Sequence, residues 1–230
     1  MKDLTIIIPA KNEKETLPLV INSIDHLDCQ IIVSLKEDDL ETINSLKNKK
    51  IKFFYQSGDG YGNSLTEAIT KCKTKYFCIF NADGSFDHND ILKMYKIIEN
   101  NDFVYTTRYT QPGGSEDDTI ITLIGNKIFS FLGKILFSLN LNDILYTYLM
   151  GRTDSFKKLN ITSNDFRFCV ELPIKMGIKK MDYKSIPSFE KKRIAGKKKV
   201  NNFKDGFLIL LEILKLFFYF KILRKKQINK

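Results

Sequence analysis

The chain has 230 residues, 43% hydrophobic and 28% charged, with a net charge of +10, which provides for a sizeable core and excludes a collagenous, low-complexity or mostly disordered protein. Four cysteines without a C-x-x-C pair, and only two histidines, His26 and His88, argue against a zinc ribbon, a thioredoxin-type site or a His-rich metal centre; the thiols read as reduced and mostly buried. The charge is lopsided, with 23 Lys and Arg against 24 Asp and Glu up to Tyr183, and 14 against 3 from Lys184 onward.

The N-terminus shows no apolar leader with a small-residue cleavage site, so no secretory signal is expected. Five near-continuous apolar runs, Leu4–Ile8, Gln30–Ser34, Ile51–Tyr55, Tyr76–Phe80 and Phe103–Thr107, suit strands buried on both faces. Helix-like segments lie between them: Glu15–Asp25, Asp39–Asn48, Ser64–Cys72 and Asn89–Asn100, the last with Asp87 or Asn89 as its cap. This alternation predicts right-handed βαβ units, hence an α/β fold with a doubly wound, mostly parallel sheet. Ligands in such sheets bind beyond the carboxyl ends of the strands. There stand Pro9-Ala10-Lys11-Asn12-Glu13 after the first strand and Asn81-Ala82-Asp83-Gly84-Ser85 after the fourth.

Beyond Arg108 the texture changes. Gln111–Asp118 reads as an exposed, mobile loop. An apolar stretch, Ile120–Leu141, is interrupted by Gly125, Asn126, Lys127, Gly133 and Lys134. Asn164 or Asp165 is placed to cap a helix running to Met176; Lys184–Pro187 looks extended, and Glu190–Asn202 looks like a basic loop. No run of about eighteen uncharged apolar residues occurs, so no transmembrane span is expected. The last apolar stretch, Phe203–Leu223, is different in kind. At about 100° per residue, Lys204, Asp205, Glu212 and Lys215 fall within about 100° of one another, a narrow polar stripe beside a wide apolar face. Arg224, Lys225 and Lys226 follow at once. Two readings remain: a helix lying in a bilayer interface with basic residues at the headgroups, or a C-terminal helix docked on the body or on a second copy.

Chemistry concentrates at Asn81-Ala82-Asp83. Two oxygen-bearing side chains two residues apart, directly after a buried strand, are placed to meet one hard cation, Mg2+ or Mn2+, together with the oxygens of a diphosphate; a plain Asp-Gly turn is the simpler alternative. The Gly-rich run Gly58–Ser64 precedes a helix, so its backbone amides are placed to meet a phosphate, although such a run also makes an ordinary loop.

In order along the chain, these motifs resemble those of the family-2 glycosyltransferases with the GT-A fold, the nearest branch being the polyprenyl-phosphate sugar transferases. Ile6-Ile7-Ile8-Pro9-Ala10-Lys11-Asn12-Glu13 is similar to their strand followed by P-x-x-N-E, and Tyr76–Asp83 to their strand ending in D-A-D. Thr107-Arg108-Tyr109 resembles S-R-Y, Asn126 falls in the following helix, and Asp143 stands before their T-S-G-F. Phe168-Cys-Val-Glu171 resembles F-x-x-E, and Pro187 with Arg193–Lys199 resembles P followed by R-x-x-G-x-S-K. Asn81 stands in place of the first acid and Lys198 in place of the Ser, while the acids after the second strand are displaced to Glu37 and Asp38.

The resemblance implies an inverting transfer of a sugar from a nucleotide sugar to a membrane-presented acceptor, a polyprenyl phosphate, on the inner face of the cytoplasmic membrane. It implies donor contacts from Pro9, Ala10, Asn12, Glu13, Glu37, Asp38, Gly62, Asn81 and Ala82. A divalent metal would sit on Asp83 with Asn81 and Ser85, and Asp83, Arg108, Arg193 and Lys199 would take the catalytic roles. A lipid phosphate is already anionic near neutral pH, so transfer to it needs positioning and stabilisation of the leaving diphosphate rather than a strong base. A hydroxyl of a cell-envelope glycan would need a carboxylate, with Glu171, Asp143 and Asp165 as candidates. The resemblance further implies residues 1–200 as the transferase domain, 1–110 holding the donor and 111–200 the acceptor, with 201–230 as a basic amphipathic helix on the membrane. Three other readings stand beside it. A nucleotidyltransferase would need glycine in the loop after the first strand. A catalytically inactive relative, and a nucleic-acid binder acting through the basic tail, would leave these motifs idle; no nucleic-acid partner is expected.

Overall fold

The computed structural model describes residues 1–47, 49, 51–196 and 199–223. The basic run Arg224–Lys226, Lys198 and the expected helix end at Asn48 lie outside the described residues. Seven strands form one sheet: β1 (Leu4–Pro9), β2 (Gln30–Leu35), β3 (Lys52–Tyr55), β4 (Tyr76–Ile79), β5 (Phe103–Thr107), β7 (Leu149–Arg152) and β8 (Tyr183–Pro187). Their order is β3-β2-β1-β4-β7-β5-β8. All neighbours are parallel except β7, which runs antiparallel between β4 and β5. A second, two-stranded sheet pairs β6 (Gly114–Ser115) with β9 (Phe189–Glu190).

The period of two in a strand divides the core. Ile6 and Ile8 of β1 and Cys78 of β4 point to one layer, against α1 (Leu17–Ile24) and α4 (Asn89–Ile97). Ile7, Phe77 and Ile79 point to the other, against α3 (Tyr61–Lys71), α6 (Thr153–Leu159) and α7 (Phe168–Ile178). Helices thus cover both faces, and the doubly wound, mostly parallel α/β sheet is the observed fold. On the second face α5 (Ile120–Phe137) and α8 (Asn202–Phe217) close the layer, with Phe137, Ile209, Ile213 and Leu216 buried in its core. Of the thiols, Cys72, Cys78 and Cys169 are buried and all four are free.

Several boundaries differ from the sequence reading, each for a local reason. The short α2 (Leu40–Asn44) is capped by Asp39, which accepts the Thr42 amide. The helix expected from Ser64 begins at Tyr61, because Gly60 (φ 102°) turns the chain three residues earlier. Neither Asp87 nor Asn89 occupies the N-cap of α4, which is His88; Asp87 instead accepts from the Asn89 backbone and side-chain amides. The helix expected from Asn164 or Asp165 starts at Phe168, since Asp165 folds onto Arg167. The stretch after Arg108 is mostly half-buried rather than wholly exposed and carries β6, while Glu190 ends β9 rather than opening a loop.

Candidate active site

The carboxyl ends of β1 and β4 carry the two motifs side by side, since β1 is the parallel neighbour of β4. After β1, the Ala10 amide donates to the Ser34 carbonyl at 2.8 Å, tying Pro9-Ala10 to the end of β2. Asn12 takes a left-handed conformation (φ 54°), and its amide donates to Asp39 Oδ2 at 2.7 Å. The Glu13 amide donates to Thr42 Oγ1, and its carboxylate accepts from the Thr16 hydroxyl and from Lys199 Nζ. Lys199 also donates to the Lys11 carbonyl. The C-terminal basic segment therefore reaches back across the first loop. Glu37 and Asp38 lie exposed in the turn beyond β2, and it is Asp39, one residue further on, that contacts the P-x-x-N-E loop.

After β4, Ala82 is buried and Asp83 makes a tight turn: its Oδ1 accepts from the Ser85 amide at 3.1 Å and the Ser85 hydroxyl at 2.7 Å. Ser85 is buried and engaged there, so it braces the carboxylate. Gly84 is favoured by its positive φ of 78°, and Ile194 packs directly over it, Cδ1 lying 2.4 Å from where a Cβ would stand. Beneath the turn Phe86 stacks on Tyr148 at 4.4 Å, and Phe80 packs edge-on against both. Above it, the Ile194 amide donates to the Asp83 carbonyl and the Lys191 amide to the Ser85 carbonyl, at 2.9 and 2.8 Å. This strap delivers Arg193, whose Nη1 lies 3.7 Å from Asp83 Oδ2 and whose Nη2 pairs with Asp117 at 2.8 Å. The hydrogen bond that Arg193 donates to Asp117, with the nearby Asp83 charge, holds the guanidinium pKa above its ordinary value.

Arg108 leaves β5 into a cage. Its Nε and Nη2 form a fork with Asp143 at 2.8 Å, its amide joins the same carboxylate at 3.0 Å, and its Nη1 meets Glu190 at 2.9 Å. The guanidinium stacks over Tyr146 at 4.4 Å. Burial alone would lower its pKa, but hydrogen bonds and charge from Asp143 and Glu190 prevail and hold it well above normal. Asp143 accepts in addition from Asn126 of α5. Arg108 is thus a hub held between two carboxylates, with three of the five guanidinium N–H groups on Asp143 and Glu190. Of the candidate bases, Glu171 is buried and accepts from Thr162, Ser163 and Lys175, Asp143 is held by Arg108, and half-exposed Asp165 pairs with Arg167.

Gly62 is buried where two backbones meet: a Cβ would lie 2.3 Å from the Ser163 carbonyl oxygen. The Asn63 amide donates to the Asn164 carbonyl at 2.9 Å, so that segment occupies the start of α3. The structure brings together Asn12, Glu13, Asp83, Arg193 and Lys199 around one strap, and leaves Glu37, Asp38 and Gly62 outside it. Sequence reasoning missed Asp117, Asp39 and Glu190. Their one signal was acidic character, at the start of an expected helix for Asp39 and in expected loops for Asp117 and Glu190.

A divalent ion fits this donor set in a limited way. Among the described residues no group of three or more His, Cys, Asp or Glu converges. What remains is Asp83 Oδ2 with the partly exposed Asn81 amide, a few hard oxygens to be completed by diphosphate and water.

An open, mostly parallel sheet with an acidic turn beyond β4 and basic side chains folded over it defines the GT-A class of glycosyltransferase. The sequence model of glycosyl transferase family 2 matches residues 5–160, and the chain belongs to that family, whose members are sugar-transferring enzymes. It is 24% identical over 216 residues to glycosyltransferase AglJ of Haloferax volcanii, covering 90% of this chain and 70% of that one. It is 21% identical to an uncharacterized glycosyltransferase of Mycobacterium bovis, covering 90% and 94%. Among solved structures, glucosyl-3-phosphoglycerate synthase of Mycobacterium tuberculosis with Mn2+, UDP and glucosyl-3-phosphoglycerate superposes with a TM-score of 0.71 at 11% identity, covering 93% of this chain and 79% of that one. The same enzyme with Mn2+, UDP and phosphoglyceric acid gives 0.70 at 12%.

Proposed function

We propose that the protein transfers a sugar, with inversion, from a nucleotide sugar to a membrane-presented polyprenyl phosphate. The observation that carries this is the state of the carboxylates: Glu171, Asp143 and Asp165, the candidates for a general base, are each tied to a cation. An anionic acceptor oxygen needs no base, whereas a sugar hydroxyl does. The P-x-x-N-E loop and the Asp83 turn form the donor side, within residues 1–110. Residues 111–200 supply the acceptor side, and 201–230 the contact with the inner face of the membrane.

Asp83 and Asn81 would hold Mg2+ or Mn2+, as the UDP complexes of the mycobacterial synthase suggest by analogy. When bound, the ion neutralises charge building on the departing diphosphate. Arg193, held at the rim by Asp117, adds a fixed positive charge on the same side. Lys199 and Glu13 lock the first donor loop. Arg108 keeps Asp143 and Glu190 in place, and with them the wall facing α5, which makes it a positioning residue.

The test is a thermal-shift series with UDP and GDP, each with and without Mn2+, followed by transfer assays. A nucleotide at about a hundred times its Kd adds about 2.7 kcal/mol to stability. Radiolabelled sugar passing to a short-chain polyprenyl phosphate, and not to phosphoglyceric acid or a glycan hydroxyl, is the expected outcome. Transfer to either of the latter alone overturns the acceptor assignment, and no stabilisation by any diphosphate overturns the donor side.

A further inference from the structure

Two helices on one face of the molecule leave their apolar sides uncovered. On α5, Ile120, Ile124, Ile128, Phe131 and Ile135 are exposed, Ile120 by 76% and Phe131 by 60%. On α8 and its continuation, Phe203, Phe207, Leu211, Leu214 and Phe218 are exposed, Phe203 by 82%. Both rows advance by four, four, three and four residues, the spacing that keeps side chains on one helical face. The two helices pack on each other, with Phe137 edge-on to Phe217 at 6.2 Å, and the apolar side chains they bury belong to the same core. Their exposed rows therefore point away from that core together. Two such rows on packed helices exceed what singly scattered surface residues explain.

We infer that α5 and α8 together form a platform that lies flat in the surface of an anionic lipid bilayer, with α5 as its primary rail. Charge selects this occupant. Exposed Lys127 and Lys134 border the row on α5, exposed Lys204 and Lys215 border that on α8, and Arg224-Lys225-Lys226 follow later in the sequence. An apolar strip with lysine margins suits acyl chains below and anionic headgroups beside them. A second copy seated on the same strip would set lysine margins against lysine margins. α5 is long and apolar enough to cross a bilayer by length and composition alone, but its inner face rules that out. Asn126 holds Asp143 and accepts the Leu145 amide, and Ser130 accepts the Ile144 amide at 3.1 Å. Insertion would strip these buried partners. The platform also gives the proposed acceptor reading a geometry, and rests on it only there: the face opposite the lipid holds Asp143, and through it Arg108.

The chain contains no tryptophan, so Phe131→Trp and Phe207→Trp each report one position in the full-length protein. Both are expected to blue-shift on vesicles of phosphatidylcholine with phosphatidylglycerol, to be quenched by brominated acyl chains, and to respond less to phosphatidylcholine alone. Ile128→Ser combined with Phe131→Ser is expected to lower partitioning at least about tenfold while thermal unfolding and nucleotide-induced stabilisation stay unchanged. Emission at position 131 that ignores vesicles overturns the proposal, as does a shift in buffer that tracks protein concentration, which means a second copy. Equal binding to neutral vesicles overturns the anionic assignment. Vesicle binding is measured without substrates, so a soluble acceptor would refute the proposed function and leave this result standing.

Discussion

Asp83 and Asp143 are both acidic residues beside an arginine, yet their surroundings give them opposite tasks. Asp83 has one oxygen fixed by Ser85 while the other lies 3.7 Å from Arg193 Nη1. Asp83→Ala is therefore expected to leave the melting temperature nearly unchanged and to cut turnover by about a hundredfold or more, the scale for losing an electrostatic stabiliser; unaltered turnover would remove it from the site. Asp143 is wholly buried and gives both oxygens to Arg108. Removing one partner of such a pair leaves an unmatched buried charge, so Asp143→Ala should cost about 3–5 kcal/mol in urea denaturation. The P-x-x-N-E and D-x-D positions were legible because they follow strands that announce themselves. The partners of Arg108 were not, since Asp143 comes from a loop and Glu190 from the end of β9, both far along the chain, and only tertiary folding brings them to the same guanidinium.

At the level of elements, the parallel strands were readable from near-continuous apolar runs, but β7 was not. Leu149-Met-Gly-Arg is short and broken by glycine, and its neighbours explain the glycine: a Cβ on Gly151 would lie 2.7 Å from the Phe77 ring and 2.8 Å from Phe103. The same logic makes a prediction at the start of α3. Gly62→Ala would drive a methyl into the Ser163 carbonyl, and the backbone shift should cost about 1–3 kcal/mol while loosening the 163–165 segment to hydrogen exchange. Helix α7 carries a pH-sensitive joint. Burial raises the Glu171 pKa, but Lys175 and the Ser163 amide outweigh it and hold the carboxyl below its usual range. A depressed carboxyl adds stability above its unfolded pKa and loses it as pH falls through the folded one. Wild-type stability should thus decline through the acid carboxylate range, while Glu171→Gln should be weaker at neutral pH and show a shallower acid decline in urea titrations at stepped pH.

Across the whole molecule, the C-terminal helix was open to two readings, docked or interfacial, and the structure shows that its two faces differ. Ile213 is fully buried against the second layer while Phe203 and Phe207 face outward. Ile213→Ala is accordingly expected to cost about 2–5 kcal/mol by chemical denaturation, a loss that a detachable tail would not show. The sequence pattern could mark α8 as amphipathic but not say that α5 lies beside it, because Ile120–Leu141 is apolar on nearly every side and its inward face is set by Asn126, Ser130, Gly133 and Phe137. The strap, residues 191–196 with Lys199, ties distant parts of the chain together. It hydrogen-bonds the turns after β1 and β4, so those two loops take their observed geometry only once a segment far later in the sequence has folded over them.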